Sequence, residues 1–150
     1  MARISYLGIA NKIKSILESD ELIAEKTRSI TLCEDNIQSA ELMPWIGIYP
    51  ITRRPSATQT IAAGQRWRFE ITYEIWVYAF SMVGPEEALT MTEELLGLVE
   101  VALLREPTLG GMAQMIRLDG GDFDNARTEG SFVMGGSVRL NVLATATTVG

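Results

Sequence analysis

The side chains that do most enzyme chemistry are scarce in this chain, and histidine is missing altogether. That removes Ser-His-Asp triads, histidine-bearing metal sites and the commonest general base together. The single cysteine, Cys33, has no imidazole to activate it, so it reads as a buried thiol rather than a nucleophile, and it has no partner for an intrachain disulfide. Neither a phosphate-binding nor a dinucleotide-binding glycine pattern is present. Glu86-Glu87 and Glu93-Glu94 resemble a carboxylate site in composition, but they fall on the leading turns of an expected helix, where a solvated acidic face is the plainer reading. Asp119, Asp122, Asp124 and Asn125 gather oxygen ligands beside Gly120-Gly121, as calcium requires. Their spacing is not that of an EF-hand loop and no glutamate closes it, so an acidic polar loop is expected. Arg53, Arg54, Arg66 and Arg68 occupy a stretch without any acid and could meet phosphates. An acidic chain without a basic helix is a poor duplex binder, so contact with protein is the expected use of these arginines. No catalytic residue, metal ligand or cofactor is assigned, and the chain reads as a non-enzyme.

Charge is placed unevenly. Residues 1–80 carry nine acids and nine bases, whereas residues 81–150 carry ten acids against four bases, so the net charge of −6 belongs to the second half. Such a dipolar chain suits head-to-tail or ring contacts. Ten arginines against three lysines fit an interface, where guanidinium forks pair with carboxylates. Genome base composition accounts for the same bias equally well. At 150 residues and 47% hydrophobic the chain has the size and apolar content of one domain with its own core. No uncharged apolar run approaches a membrane span. The Met-Ala-Arg-Ile-Ser-Tyr start has no signal-peptide pattern, so a reducing cytoplasm is the expected place of synthesis.

The elements that must position these residues follow from periodicity. Residues 3–18 have helical spacing of Ile9, Ile13, Ile16 and Leu17, and Ser19-Asp20 can cap a second short turn. Strands are expected over Ser29 to Cys33 and over Trp45 to Ile51, the latter ending early or lying at an edge because of Pro50. A polar interval, 34–41, separates them, and an extended arm rich in Pro, Ser, Thr, Ala and Gly covers about 52–66. From Trp67 to Phe80 every odd position is apolar, and the even face turns aromatic at Trp76, Tyr78 and Phe80, so the far end of this strand needs cover on both sides. Gly84-Pro85 followed by Glu86-Glu87 starts a long helix whose core face is Ala88, Met91 or Thr92, Leu95, Val99, Ala102 and Leu103, and Pro107 stops it. A short strand over 115–118, a polar loop over 122–130 and a closing strand over 131–147 complete the chain, with Gly135-Gly136 marking a bulge or a close approach. The expected fold is α+β: a single domain with a mostly antiparallel or mixed sheet, and an N-terminal helix and one long helix packed on it.

In this order, Pro44-Trp-Ile-Gly-Ile-Tyr-Pro50, Arg68-Phe-Glu-Ile-Thr-Tyr-Glu-Ile-Trp-Val77, Gly84-Pro-Glu-Glu-Ala88, Leu109-Gly-Gly111 and Gly130-Ser-Phe-Val-Met-Gly-Gly-Ser-Val-Arg-Leu-Asn-Val142 resemble the tail terminator (tail completion) proteins of long-tailed bacteriophages. The similarity covers nearly the whole chain in element order and length. It implies a structural virion subunit made in the host bacterial cytoplasm. It further implies assembly as a homo-oligomer, usually a hexameric ring, on the head-proximal end of the tail tube, stopping tube growth and offering a surface to the head connector. Under that resemblance the arginine arm would reach the tube, the connector or a sister subunit, and the aromatic even face would pack on a neighbour. Asp119, Asp122 and Asp124 would line a lumen through which DNA passes without sequence-specific binding. A different neck component, an adaptor or head-closure protein, is the first alternative; a small cytosolic enzyme or ligand-binding dimer is the second and would need an enclosed pocket with converging polar groups.

Overall fold

The computed structural model describes residues 4–34, 43–55, 66–128 and 131–147. Helix α1, Tyr6–Ser19, buries Ile9, Ala10, Ile13 and Leu17 on one stripe, and its N-cap Ser5 accepts a hydrogen bond from the Gly8 amide at 3.0 Å. Asp20 opens the short helix α2, Glu21–Lys26, by accepting from the Leu22 and Ile23 amides at 3.0 Å each. Strand β1, Ser29–Leu32, runs parallel to β2, Trp45–Pro55. The polar interval lies outside the described residues apart from Glu34.

Pro50 does not end β2. The strand passes it with a register shift between Pro50 and Thr52, which absorbs the missing amide donor. Over 45–48 this strand is internal, between β1 and β3; beyond Ile48 no described strand pairs with its outer side, and Pro50–Pro55 are all exposed. Arg53 and Arg54 therefore stand on a strand rather than in a loop. The remainder of the expected arm, 56–65, is outside the described residues.

The centre of the sheet is β3, Arg66–Ser81, paired antiparallel with β6, Ser131–Thr147, in one unbroken register from Arg66↔Thr147 to Ser81↔Phe132. Gly135-Gly136 accordingly carries no bulge but a close approach: a Cβ on Gly135 would fall 2.4 Å from the Tyr78 ring. The bulge lies on the facing strand. Segments β4, Met115–Asp119, and β5, Phe123–Thr128, both pair antiparallel with β6, with Gly120, Gly121 and Asp122 set against Ser137 and Val138 between them. The polar loop expected over 122–130 is thus largely strand; pairing with β6 overrides the low strand preference of Asp and Asn. The order β1-β2-β3-β6-β4/β5 makes a mixed sheet in which β1/β2 is the parallel pair.

Helix α3, Pro85–Leu104, starts as its Gly-Pro-Glu-Glu signal demands, with the Ser81 hydroxyl accepting from the Val83 amide at 3.0 Å just upstream. It buries Ala88, Thr92, Leu95, Leu96, Val99, Ala102 and Leu103, choosing Thr92 over Met91. The Thr92 hydroxyl lies 3.0 Å from both the Ala88 and Met134 carbonyls, tying helix to sheet without leaving a buried polar group unpaired. Helices α1 and α3 cover one face, where Ile46, Ile48, Ile71, Tyr73, Ile75, Val77, Val138, Leu140, Val142 and Ala144 form the main core. The fold is α+β, as expected from the element order.

Candidate interaction surface

The opposite face of the sheet carries Trp76, Tyr78, Phe80, Arg54, Arg68, Asp119 and Asp124 from among the residues singled out from sequence, and it divides into an aromatic end and a charged end. At the aromatic end Met43, Trp45, Tyr78 and Val133 form a second, smaller cluster flanked by Tyr49, Trp76 and Phe80. Trp45 and Tyr78 lie with ring centroids 5.6 Å apart, as do Trp76 and Tyr78, so the three rings cover one another. Their polar tips are satisfied within the chain. The Trp45 indole donates to the Thr31 hydroxyl at 2.9 Å, the Trp76 indole to Glu74 at 2.6 Å, the Tyr78 hydroxyl to Asp124 at 3.2 Å, and the Tyr49 hydroxyl to the Glu34 carbonyl. Tyr78 is buried, and only the half-buried Trp76 and Phe80 remain from the aromatic trio for an outward contact. The reason is local: Gly135 opposite Tyr78 leaves a slot for the ring.

At the charged end Arg139 bridges Glu74 at 3.3 Å and Asp122 at 2.8 Å, Arg117 meets Asp119 at 3.3 Å, and Arg54 meets Glu70 at 3.0 Å. Thr72 donates to Asn141 at 2.6 Å, and the Asn141 amide donates to Asp119. Asp119, Asp122 and Asp124 are consequently not a loop of loose carboxylates; they sit on or beside paired strands, each with a cation, hydroxyl or amide partner. Among the described residues no group of three or more acidic, cysteine or histidine side chains is placed to hold a metal ion.

The four arginines are not brought together. Arg53 projects to the helix-covered face, donating to the Tyr6 hydroxyl at 3.1 Å and lying over the Tyr6 and Phe69 rings at 5.6 and 5.7 Å. Arg54, one residue on, points to the opposite face. Arg68 is exposed and faces Thr145 in register, and Arg66 opens β3 opposite Thr147 with its side chain outside what is described. Strand alternation separates residues that adjacency in sequence had grouped.

Cys33 corrects another expectation. It is exposed, because β1 ends at Leu32 and Cys33 turns the chain with φ 56°, its amide donating to the Ile48 carbonyl at 2.9 Å. Sequence reasoning also missed a solvent-open groove of about 460 Å³ between the start of α3 and the β5/β6 end of the sheet, lined by Pro85, Glu86, Leu89, Asn125, Phe132, Val133 and Met134. Phe123, 66% exposed, lies on this same helix-covered side of β5. The signal available was the apolar Phe123, masked by Asp122, Asp124 and Asn125 around it.

Two buried phenols give a spectroscopic handle. Burial, then the nearby Asp124 carboxylate, pushes the Tyr78 hydroxyl well above its ordinary range, and burial, then Tyr6, does the same for Tyr73, whose hydroxyl donates to the Tyr6 carbonyl at 2.7 Å. A pKa raised in the folded state stabilises the fold while the phenol is neutral in the unfolded chain too, and the benefit is lost as pH climbs past about 10. Alkaline titration at 295 nm is therefore expected to show two of the four tyrosines ionising only together with unfolding. Four phenols titrating freely near the ordinary value in the folded protein would contradict it.

No helix among the described residues is long and apolar enough to cross a membrane. Compared with models of known protein families the chain matches none, and no curated protein sequence matches it.

Proposed function

We propose that the chain is a structural subunit that assembles with copies of itself into a ring capping the head-proximal end of a bacteriophage tail tube, ending tube growth and presenting a surface for head joining. The observation that carries the reading is the element order: an N-terminal helix, a strand over Trp45–Pro55, a long central strand, a Gly-Pro-started long helix, a Leu-Gly-Gly turn and a long closing strand. The same order carries the resemblance to tail terminators. Two features of the surface support it. Among the described residues neither end of the sheet is closed by a further strand, and residues with large apolar side chains stand exposed at or beside those ends: Ile51 on one, Met115 and Phe123 on the other. A subunit designed to stay alone would blunt such features.

The function also sets how the outward surfaces are used. Trp76 and Phe80 supply the apolar part of a contact, Arg54 and Arg68 the basic part, and Tyr78 holds the platform from beneath. The testing experiment is co-sedimentation of the purified protein with polymerised tail tubes and, separately, with DNA-filled heads. Pelleting with tubes and shortening of the tube length distribution are expected; pelleting with heads alone would assign the chain to the neck instead. Reversing Arg54 to glutamate is expected to weaken tube capping at least several-fold while the isolated subunit remains folded. Unchanged capping by that variant would remove Arg54 from the contact.

A further inference from the structure

The two ends of the sheet are complementary. On one side, β2 beyond Ile48 has no described partner along its outer edge, and Arg54 stands on that stretch with a side chain 74% exposed, its guanidinium 3.0 Å from Glu70 of β3. On the other, the outer edge of β4/β5 has no described partner either, and Asp119, Asp122 and Asp124 lie along it with Arg117, which pairs with Asp119 at 3.3 Å. Register places Arg54, Asp119 and Asp124 on one face of the sheet: Arg54 opposite Glu70, Asp119 opposite Arg139 and Asp124 opposite Gly135, all on the face away from the helices. Asp122, in the bulge, reaches the same face through Arg139.

We propose that β2 of one copy pairs edge to edge with β4/β5 of a second copy, continuing the sheet from subunit to subunit, with Arg54 meeting the aspartate row of its neighbour. The occupant is a second copy because Arg54, largely exposed, stands on one edge while on the same face of the other edge three aspartates outnumber Arg117, so a neighbouring copy offers Arg54 acidic partners beyond its own Glu70. Strand direction agrees. Since β2 and β6 both run against β3, and β4/β5 runs against β6, a neighbour in the same orientation brings β4/β5 alongside β2 antiparallel, the more stable pattern. Pro50 and Pro55, which offer no amide, bound the pairing stretch to 51–54 and so limit its register. The contact is heterologous, the kind that closes rings or extends filaments rather than making two-fold dimers. It rests on the ring-forming reading above and adds which surfaces meet.

Cysteine pairs test it in a Cys33→Ser background: Arg54→Cys combined in turn with Asp119→Cys, Asp122→Cys or Asp124→Cys. Adjacent strands bring facing Cα atoms within disulfide reach. Oxidation should give a ladder of covalent multimers from at least one pair and none from the parent, on denaturing gels. In parallel, Arg54→Asp should shift sedimenting assemblies to smaller species, and Arg54→Asp with Asp124→Arg should restore them. Rings or tube caps that persist without any ladder and ignore the charge reversals would overturn the contact while leaving the function standing. A ladder without tube capping would uphold the contact and overturn the function. A parent chain that neither assembles in solution nor caps tubes would overturn both.

Discussion

Replacing Gly121 with alanine is expected to destabilise the protein by about 3 kcal/mol, far above the usual cost of a surface substitution. A Cβ at this position would lie 1.8 Å from the Ser137 carbonyl oxygen and 2.4 Å from its carbon, and both are backbone atoms of β6. A flexible neighbour could swing away; a strand paired along both sides cannot. The bulge at Gly120 to Asp122 is held by the Ser137 amide donating to the Asp122 carbonyl at 2.9 Å, the Asp122 amide donating to the Ser137 hydroxyl at 2.9 Å and the Arg139 amide donating to the Gly120 carbonyl at 3.3 Å. Opening the gap for a methyl group loosens these bonds together. For a domain of this size the loss corresponds to a melting point lower by roughly 10 °C. Gly120→Ala, where nothing lies within 4 Å of the added Cβ, is the control and should melt within a few degrees of the parent. Equal melting points for the two variants would mean that the bulge does not have this geometry.

Ile75→Ala should cost a similar or larger amount, roughly 3 to 4 kcal/mol, for a different reason. Ile75 is fully buried at the middle of β3, with Ile48 and Val138 as its neighbours in register on β2 and β6. Truncation leaves a cavity between three strands under the helix layer, and none of the three can move without breaking its ladder. Phe123→Ala removes a larger side chain from a site that is 66% exposed and should leave chemical denaturation midpoints nearly unchanged. A midpoint for Ile75→Ala within a few tenths of a molar of the parent would place the core elsewhere than between this sheet and α3.

What the sequence made legible were the elements whose two faces differ. The odd positions of β3 announced one apolar face, and Ile71, Tyr73, Ile75 and Val77 on it lie under the helices. The Gly84-Pro85 start and Asp20 cap were readable because helix termini demand particular residue types. The pairing of β5 with β6 was not legible, since Asp124 and Asn125 are poor strand formers and only the unbroken β6 template recruits them. Pro50 did make legible that β2 lies at an edge, where no described strand pairs with its outer side beyond Ile48, but not that it continues to Pro55, because the bulge that compensates for a proline is set by the partner strand.

The interaction surface was legible in kind but not in arrangement. Aromatic residues on the even face of β3 did mark a second cluster, yet the depth of Tyr78 depends on Gly135 across the sheet, fifty-odd residues away in sequence. Likewise Arg53 and Arg54 are adjacent in the chain and opposed in space: one lies over Tyr6 and Phe69 on the helix side, the other pairs with Glu70 on the open side. Charge asymmetry between the halves of the chain became a spatial asymmetry through topology, because β2 and β4/β5 lie toward opposite sides of the sheet.

The central claim, that this sheet is completed by sister subunits in a ring seated on a tube end, is tested most directly by negative-stain imaging of the purified protein with and without tail tubes. Closed rings of one diameter, and tubes bearing such a ring at one end only, are the expected images. A field of single particles, beside tubes whose two ends remain bare and continue to lengthen, would contradict the claim.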